Sequence, residues 1–206
     1  YLREIVVGEN WRYGRKGRGN VNMLKDRAGG CGVEVRVIRG ARWRGGLVSS
    51  TRIREAVKAG KLKDAEAMLG RPFSLMGNVV EGHGVGRKLG FPTANVSVGN
   101  EILPPAGVYA AYVRYKRSFY ESAVSVGQRP SFQAENGGEP LSLEAHLIGQ
   151  DKRMYGDDVE LFFIRRIRDQ RRYCNLERLR ERILEDTKES HRILVNKKAE
   201  RIALHI

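Results

Sequence analysis

The amino-acid sequence predicts an α/β segment over residues 1–71, followed by a small β-barrel with a C-terminal helix over residues 72–206. Three observations lead there. The hydrophobic pattern changes character near residue 70, Arg71-Pro72 follows directly on Gly70, and beyond it short β-branched runs alternate with turn signals before a final helical pattern.

The front part reads in order. Residues 4–8 (Glu-Ile-Val-Val-Gly) form a short buried strand, and residues 33–38 a second one with β-branched alternation. Ser49, Ser50 and Thr51 offer N-caps to a helix that buries Ile53, Ala56 and Val57 and stops at Gly60. A second short helix spans residues 62–69. It ends at Gly70, and the proline that follows a glycine C-cap makes Arg71-Pro72 the junction.

The second part is mostly β. Strands are expected at residues 76–80, 108–115, 119–126, 141–148 and 159–167, with Gly137-Gly138 and Gly156-Asp157 among the turns. This spacing suits a small barrel better than βαβ units. A helix is expected over residues 175–190, with Asn175 as N-cap and Glu177 in the first turn. Leu176, Leu179, Ile183 and Leu184 are its expected apolar stripe against the barrel.

Composition narrows the class. With 41% hydrophobic and 30% charged residues the chain reads as folded and soluble, and a cytoplasmic location is expected. No apolar run approaches the roughly 18 residues of a membrane span, so no membrane partner is expected. The chain opens on Tyr1 without a basic leader or apolar segment, and is expected to be a fragment of a longer one. Cys31 and Cys174 are too few and too far apart for a disulfide framework or a zinc site, and His83, His146, His191 and His205 lack metal-ligand spacing. The net charge of +14, with a local cluster at Arg165, Arg166, Arg168, Arg171 and Arg172, favours polyanions: nucleic acid, membrane lipid or nucleotide phosphate. Aromatic residues interleaved at a nucleic-acid-binding spacing are absent, so nucleic acid is not expected as the main partner.

The chemistry concentrates in residues 82–95, Gly-His-Gly-Val-Gly-Arg-Lys-Leu-Gly-Phe-Pro-Thr-Ala-Asn. Gly82, Gly84, Gly86 and Gly90 let the backbone approach a ligand closely with amides free for an anion, and Arg87 and Lys88 add positive charge. The stretch is neither common phosphate loop. Arg87 stands where a Walker A loop needs glycine, and the G-x-G-x-x-G spacing fails. Pro92 pushes Phe91 towards an extended conformation. If residues 93–95 continue extended, the Thr93 hydroxyl and the Asn95 carbonyl oxygen share one side, and hard oxygens beside a phosphate cradle suit Mg²⁺.

Gly90-Phe-Pro-Thr-Ala-Asn95, preceded by this glycine-rich loop and followed by Pro105-Ala-Gly-Val-Tyr109, resembles the signature of the riboflavin kinase family. Gly127-Gln-Arg-Pro-Ser-Phe132, Leu143-Glu-Ala-His-Leu147, Tyr155-Gly156 and Ile167-Arg-Asp169 extend the resemblance in family order. It implies a small Greek-key barrel with a C-terminal helix. It further implies riboflavin and ATP as substrates, FMN and ADP as products, and Mg²⁺ as cofactor. On this resemblance Gly82, Gly84, Gly86 and Lys88 close over the ATP phosphates, and Thr93 and Asn95 bind the metal and the nucleotide. Glu144 is the implied general base for the ribityl 5′-hydroxyl. Strand alternation is compatible, because it puts Ser142, Glu144 and His146 on the face opposite Leu143, Ala145 and Leu147. His146 reads as a packing or orienting residue. Gly149-Gln150, Gln170 and Ser131 depart from the family pattern and leave the flavin-side loop around residues 170–173 the least defined part.

The front part carries a second resemblance. Val7-Gly-Glu-Asn-Trp-Arg-Tyr-Gly14 and Val48-Ser-Ser-Thr-Arg-Ile-Arg54 are similar to the later motifs of the FMN adenylyltransferase domain of bacterial bifunctional FAD synthetases. That implies a partial Rossmann-like nucleotidyltransferase whose remnant site holds Gly8, Asn10, Ser49, Ser50, Thr51 and Arg54. Hydroxyls and free amides at a helix start favour phosphate, and Arg54 can reinforce them. The early strand and histidine-bearing motif of that family have no counterpart here. The given chain is therefore expected to make FMN but not FAD, and its full-length parent to make both. The competing reading is a non-catalytic flavin- or nucleic-acid-binding module with a decayed kinase fold.

Overall fold

The computed structural model describes residues 1–82, 84–99, 102–128, 141–171 and 173–195. They fold as two compact units that divide between Ser50 and Thr51.

In the first unit, β1 (Glu4–Gly8) pairs in parallel with β4 (Glu34–Ile38), from Glu4 opposite Glu34 to Gly8 opposite Ile38. Between them run β2 (Arg12–Tyr13), β3 (Gly19–Asn20) and α1 (Val21–Gly29). Both long strands are as the sequence predicts, whereas α1, largely polar in composition, carries no clear helical period. Its start is set by Asn20, whose Oδ1 accepts the Met23 N–H at 3.1 Å. A hairpin of β5 (Arg42–Trp43) and β6 (Gly46–Leu47) closes the unit.

The second unit opens with α2 (Ser50–Lys58) and α3 (Leu62–Leu69), the latter stopped by Gly70 in the left-handed conformation, as the sequence predicts. Ala56, Val57 and Ala65 pack together against Phe73 and Ile102. The barrel follows: β7 (Phe73–Val80), β8 (Ala94–Ser97), β9 (Gly107–Tyr115), β10 (Ser118–Gln128), β11 (Leu141–Leu147) and β12 (Asp158–Asp169), with the short α4 (Val85–Lys88) between β7 and β8. Among the described residues these six strands close in the order β10-β11-β8-β7-β12-β9, every neighbouring pair antiparallel. Because β12 lies beside β9 and β8 beside β11, the order is that of overlapping Greek keys. Leu75, Tyr109, Val124, Leu143, Leu161 and Phe163 fill the interior. β8 is the strand the sequence reading does not assign. It is only Ala-Asn-Val-Ser, and it owes its place to partners on both sides, β7 and β11.

The C-terminal helix α5 (Leu176–Val195) starts as expected, with Asn175 Oδ1 accepting the Arg178 N–H at 2.8 Å, but runs past residue 190. Its expected apolar stripe is corrected. Leu176 and Leu184 are exposed, whereas the buried positions are Asp186, Ser190 and Leu194, with Leu179 and Ile183 half-buried. The face on the barrel is thus partly polar, because Asp186 meets Arg168 of β12 there. Near the helix end, Tyr112 of β9 donates its hydroxyl to the Leu194 carbonyl at 2.8 Å.

Burial, with a smaller contribution from the Glu121 carboxylate, pushes the Tyr112 phenol up to about 12. A folded-state value above the unfolded value of about 10 means the neutral phenol stabilises the fold in full below pH ~10 and progressively loses that effect towards pH ~12. Tyr112→Phe is expected to cost about 1 kcal/mol in urea unfolding at neutral pH. The gap between wild type and variant should then narrow between pH ~10 and ~12; a gap constant with pH would contradict the assignment.

Candidate active site

Antiparallel register brings the central residues together. Glu144 of β11 lies directly opposite Asn95 of β8, and on its other side opposite Ser125 of β10. Ala94 and Val96 on β8, and Leu143, Ala145 and Leu147 on β11, belong to the barrel interior. Alternation therefore turns Asn95 and Glu144 to the outer face, as the sequence predicts for Glu144. Asn95 is buried there and Glu144 exposed. Thr93 precedes β8 by one residue and is half-buried.

What buries Asn95 is the glycine-rich segment. A Cβ on Gly82 would stand 1.9 Å from the Asn95 Nδ2, and one on Gly86 would stand 2.5 Å from the Phe91 carbonyl oxygen and 3.2 Å from the Thr93 Oγ1. These two glycines let the main chain lie directly on Thr93 and Asn95. The segment is not the open loop its glycines suggest. It winds into α4, and Phe91 returns its N–H to the Gly86 carbonyl at 2.8 Å. Arg87 and Lys88 are exposed on this turn, with the Arg87 Nη2 3.7 Å from the Asp151 carboxylate. Both partners of that pair are largely solvated, so it fixes little and leaves the guanidinium free to exchange partners. His83 lies outside the described residues.

His146, read from the sequence as a packing or orienting residue, lies against the corner before β8. It is buried, its ring stands edge-on to Phe91 at 5.4 Å, and its Nδ1 lies 2.9 Å from the Pro92 carbonyl oxygen. A carbonyl only accepts, so Nδ1 carries the proton and pins the Phe91-Pro92 corner that leads into Thr93. Beside this corner a shallow cleft opens, lined by Val79, Arg87, Thr93, Lys152 and Tyr155 among others. Thr93 faces the cleft, while Asn95 and Glu144 lie next to it on the outer face and do not line it.

The donor set is of the kind that Mg²⁺ takes. Thr93 and Asn95 offer a hydroxyl and an amide oxygen two residues apart on one extended segment, and among the described residues no three His, Cys, Asp or Glu side chains converge into a cage. Such a pair suits a hard cation that keeps most of its shell as water and substrate phosphate. Sequence reasoning missed Ser125 beside Glu144, and Lys152 and the Arg168–Asp186 pair; only strand register and tertiary packing reveal them. Of the front-part residues, Gly8 ends β1 and Asn10 follows in the turn, Ser49 precedes α2, Ser50 and Thr51 open it, and Arg54 is exposed on it.

Known proteins resemble this chain over most of its length. Bifunctional riboflavin kinase/FMN adenylyltransferases of Buchnera aphidicola (from Acyrthosiphon pisum) and Bacillus subtilis are 33% and 31% identical to the chain, over 90% and 95% of its length. The chain spans only 59% and 61% of those proteins. A crystal structure titled as a macrolide-efflux protein from Streptococcus pneumoniae superposes with a TM-score of 0.78 at 29% identity, covering 91% of this chain and 60% of that one. Residues 69–194 match the riboflavin kinase (flavokinase) family. That span is more than half of the sequence and holds the whole barrel, the glycine-rich segment and nearly all of α5: the chain belongs to the riboflavin kinase family.

Proposed function

We propose that residues 72–206 form a riboflavin kinase domain that transfers the γ-phosphate of ATP to the riboflavin 5′-hydroxyl, giving FMN and ADP. The observation that carries this reading is Glu144 directly opposite Asn95, with Gly82 laid on the Asn95 side chain. A carboxylate and a phosphate-binding backbone thereby meet on one face of two adjacent strands. Phosphoryl transfer asks little covalent chemistry of a protein and depends on positioning and charge neutralisation. Glu144 accepts the proton of the 5′-hydroxyl as its oxygen forms a bond to the γ-phosphorus and the bond to the β–γ bridging oxygen breaks. Backbone amides around Gly82, Gly84 and Gly86 hold the phosphates, and Lys88 and Arg87 neutralise charge. Thr93 and Asn95 would hold Mg²⁺, which when bound offsets negative charge on the phosphates.

Residues 1–71 are assigned to the C-terminal part of an FMN adenylyltransferase domain, a partial Rossmann-like unit, with a full-length parent that also adenylylates FMN to FAD. The parallel β1–β4 pair joined through α1 supports this reading. Helices α2 and α3, on this assignment part of the front domain, fold in the compact unit that also holds the barrel. A cytoplasmic location belongs to the same reading. No helix among the described residues is long and apolar enough to cross a membrane. Efflux, for which the structural neighbour from Streptococcus pneumoniae is named, is not favoured: among the described residues Leu75, Tyr109, Val124 and Phe163 pack the barrel interior as a core.

Incubation with riboflavin, ATP and Mg²⁺ should yield FMN on chromatography. Glu144→Gln should lower kcat about 10²–10⁴-fold with little change in either KM. A wild type making no more FMN than Glu144→Gln would favour a non-catalytic binding module. Gly82→Ala places a methyl group within the Asn95 side chain, and should raise the KM for ATP well before it affects riboflavin. An equal rise for both substrates would contradict that placement.

A further inference from the structure

β12 ends in an arrangement that the proposed chemistry does not use. Two bulges, between Phe163 and Arg165 and between Arg166 and Arg168, re-aim its last residues. Arg168 then turns to α5. Its Nε lies 2.9 and 3.0 Å from the two Asp186 carboxylate oxygens, and its Nη2 lies 2.6 Å from Oδ2. The same guanidinium donates to the Asp169 carbonyl at 2.9 Å and stands over the Tyr173 ring at 5.8 Å. Arg182 adds a second cation 3.4 Å from Asp186. The Arg168 and Asp186 side chains retain only 15% and 5% of their exposure. Such a desolvated pair contributes little net stability relative to apolar side chains of the same size, so its value lies in the geometry it imposes.

That geometry concerns the outer face. Cross-strand partners run in one row, Asn95–Glu144–Ser125–Val108–Arg168, over β8, β11, β10, β9 and β12. Arg168 is three ladder steps from Glu144, at most about 14 Å at ~4.8 Å per step. The phosphate-binding segment covers the Asn95 side of Glu144. An in-line transfer therefore puts the acceptor on the other side, over Ser125 and towards β12. Just there the chain leaving β12 folds back, and Gln170 rests on Gly127 of β10, where a Cβ would lie 2.2 Å from its Nε2.

Resting on the kinase reading above, we propose that the Arg168–Asp186 pair is a positioning device for the flavin. It anchors Asp169, Gln170 and Tyr173 to α5 so that Gln170 stays over β10 beside the Ser125–Glu144 row, at the far end of the substrate from the transferred phosphate. The pair acts on riboflavin affinity and not on nucleotide affinity.

The test uses riboflavin fluorescence quenching and Mg·ATP calorimetry on the 206-residue chain, each alongside thermal unfolding. Asp186→Asn should weaken riboflavin binding about ten- to hundredfold, the scale on which remote misplacement acts, and leave Mg·ATP binding within about twofold. Because Asp186→Asn strands a buried guanidinium and can unfold the chain, the second variant is Arg168→Met with Asp186→Leu. This apolar pair should keep or raise the Tm while riboflavin binding still falls. Full riboflavin affinity in the folded apolar variant, or equal losses for riboflavin and Mg·ATP, would overturn the proposal. A wild type that binds riboflavin but makes no FMN would sink the kinase reading alone, because selective loss of flavin binding in the variants would still support the clamp.

Discussion

The pairing of β8 with β11 is the constraint on which the site depends. β8 is four residues long and has little propensity of its own, yet it is hydrogen-bonded on both sides and cannot slip without disturbing β7 as well as β11. In a closed barrel a slip by one residue would turn Asn95 into the apolar interior and Ala94 and Val96 out of it. Burying an amide there without partners costs roughly 1–3 kcal/mol, in addition to the lost packing. The core that holds the barrel together thus also sets which side chain faces Glu144.

The glycine-rich segment follows from the same constraint. Once Asn95 faces outward, the chain between β7 and β8 passes over it, and a Cβ at position 82 would run into the Asn95 side chain. His146, one outward position along β11 from Glu144, anchors the returning end of that segment at Pro92. Neighbouring outward residues of one strand thus differ in setting: Glu144 is left exposed, where the proposed chemistry needs it, and His146 is buried against the backbone that leads to Thr93.

Sequence alone revealed features that are local. Gly70 announced the end of α3, Asn175 the start of α5, and alternation placed Glu144 outside the barrel. It failed where a partner from elsewhere decides the outcome. α5 seemed to need Leu176 and Leu184, but its buried face includes Asp186, which is tolerable because Arg168 arrives from β12 and Arg182 lies beside it. α1 and β8 escaped notice because their residues are too polar or too few to show a period. That Asn95 is the neighbour of Glu144 was invisible as well, since alternation assigns faces and never partners.

The two ends of the outer-face row make a physical contrast. At the Asn95 end the recognition surface is backbone, brought close by missing side chains. That suits phosphate oxygens, whose charge and geometry are the same in every nucleotide. At the Arg168 end it consists of side chains held by a desolvated ion pair. Such a pair is a poor way to gain stability and a good way to fix a segment in one orientation, as a substrate with a shaped, mostly apolar ring requires. Between the ends, Glu144 is solvent-exposed, as the proposed base must be to meet a substrate hydroxyl. On the proposed reading the barrel acts as a rigid ruler: its strand spacing sets the distance between the two ends of the row, with Glu144 between them.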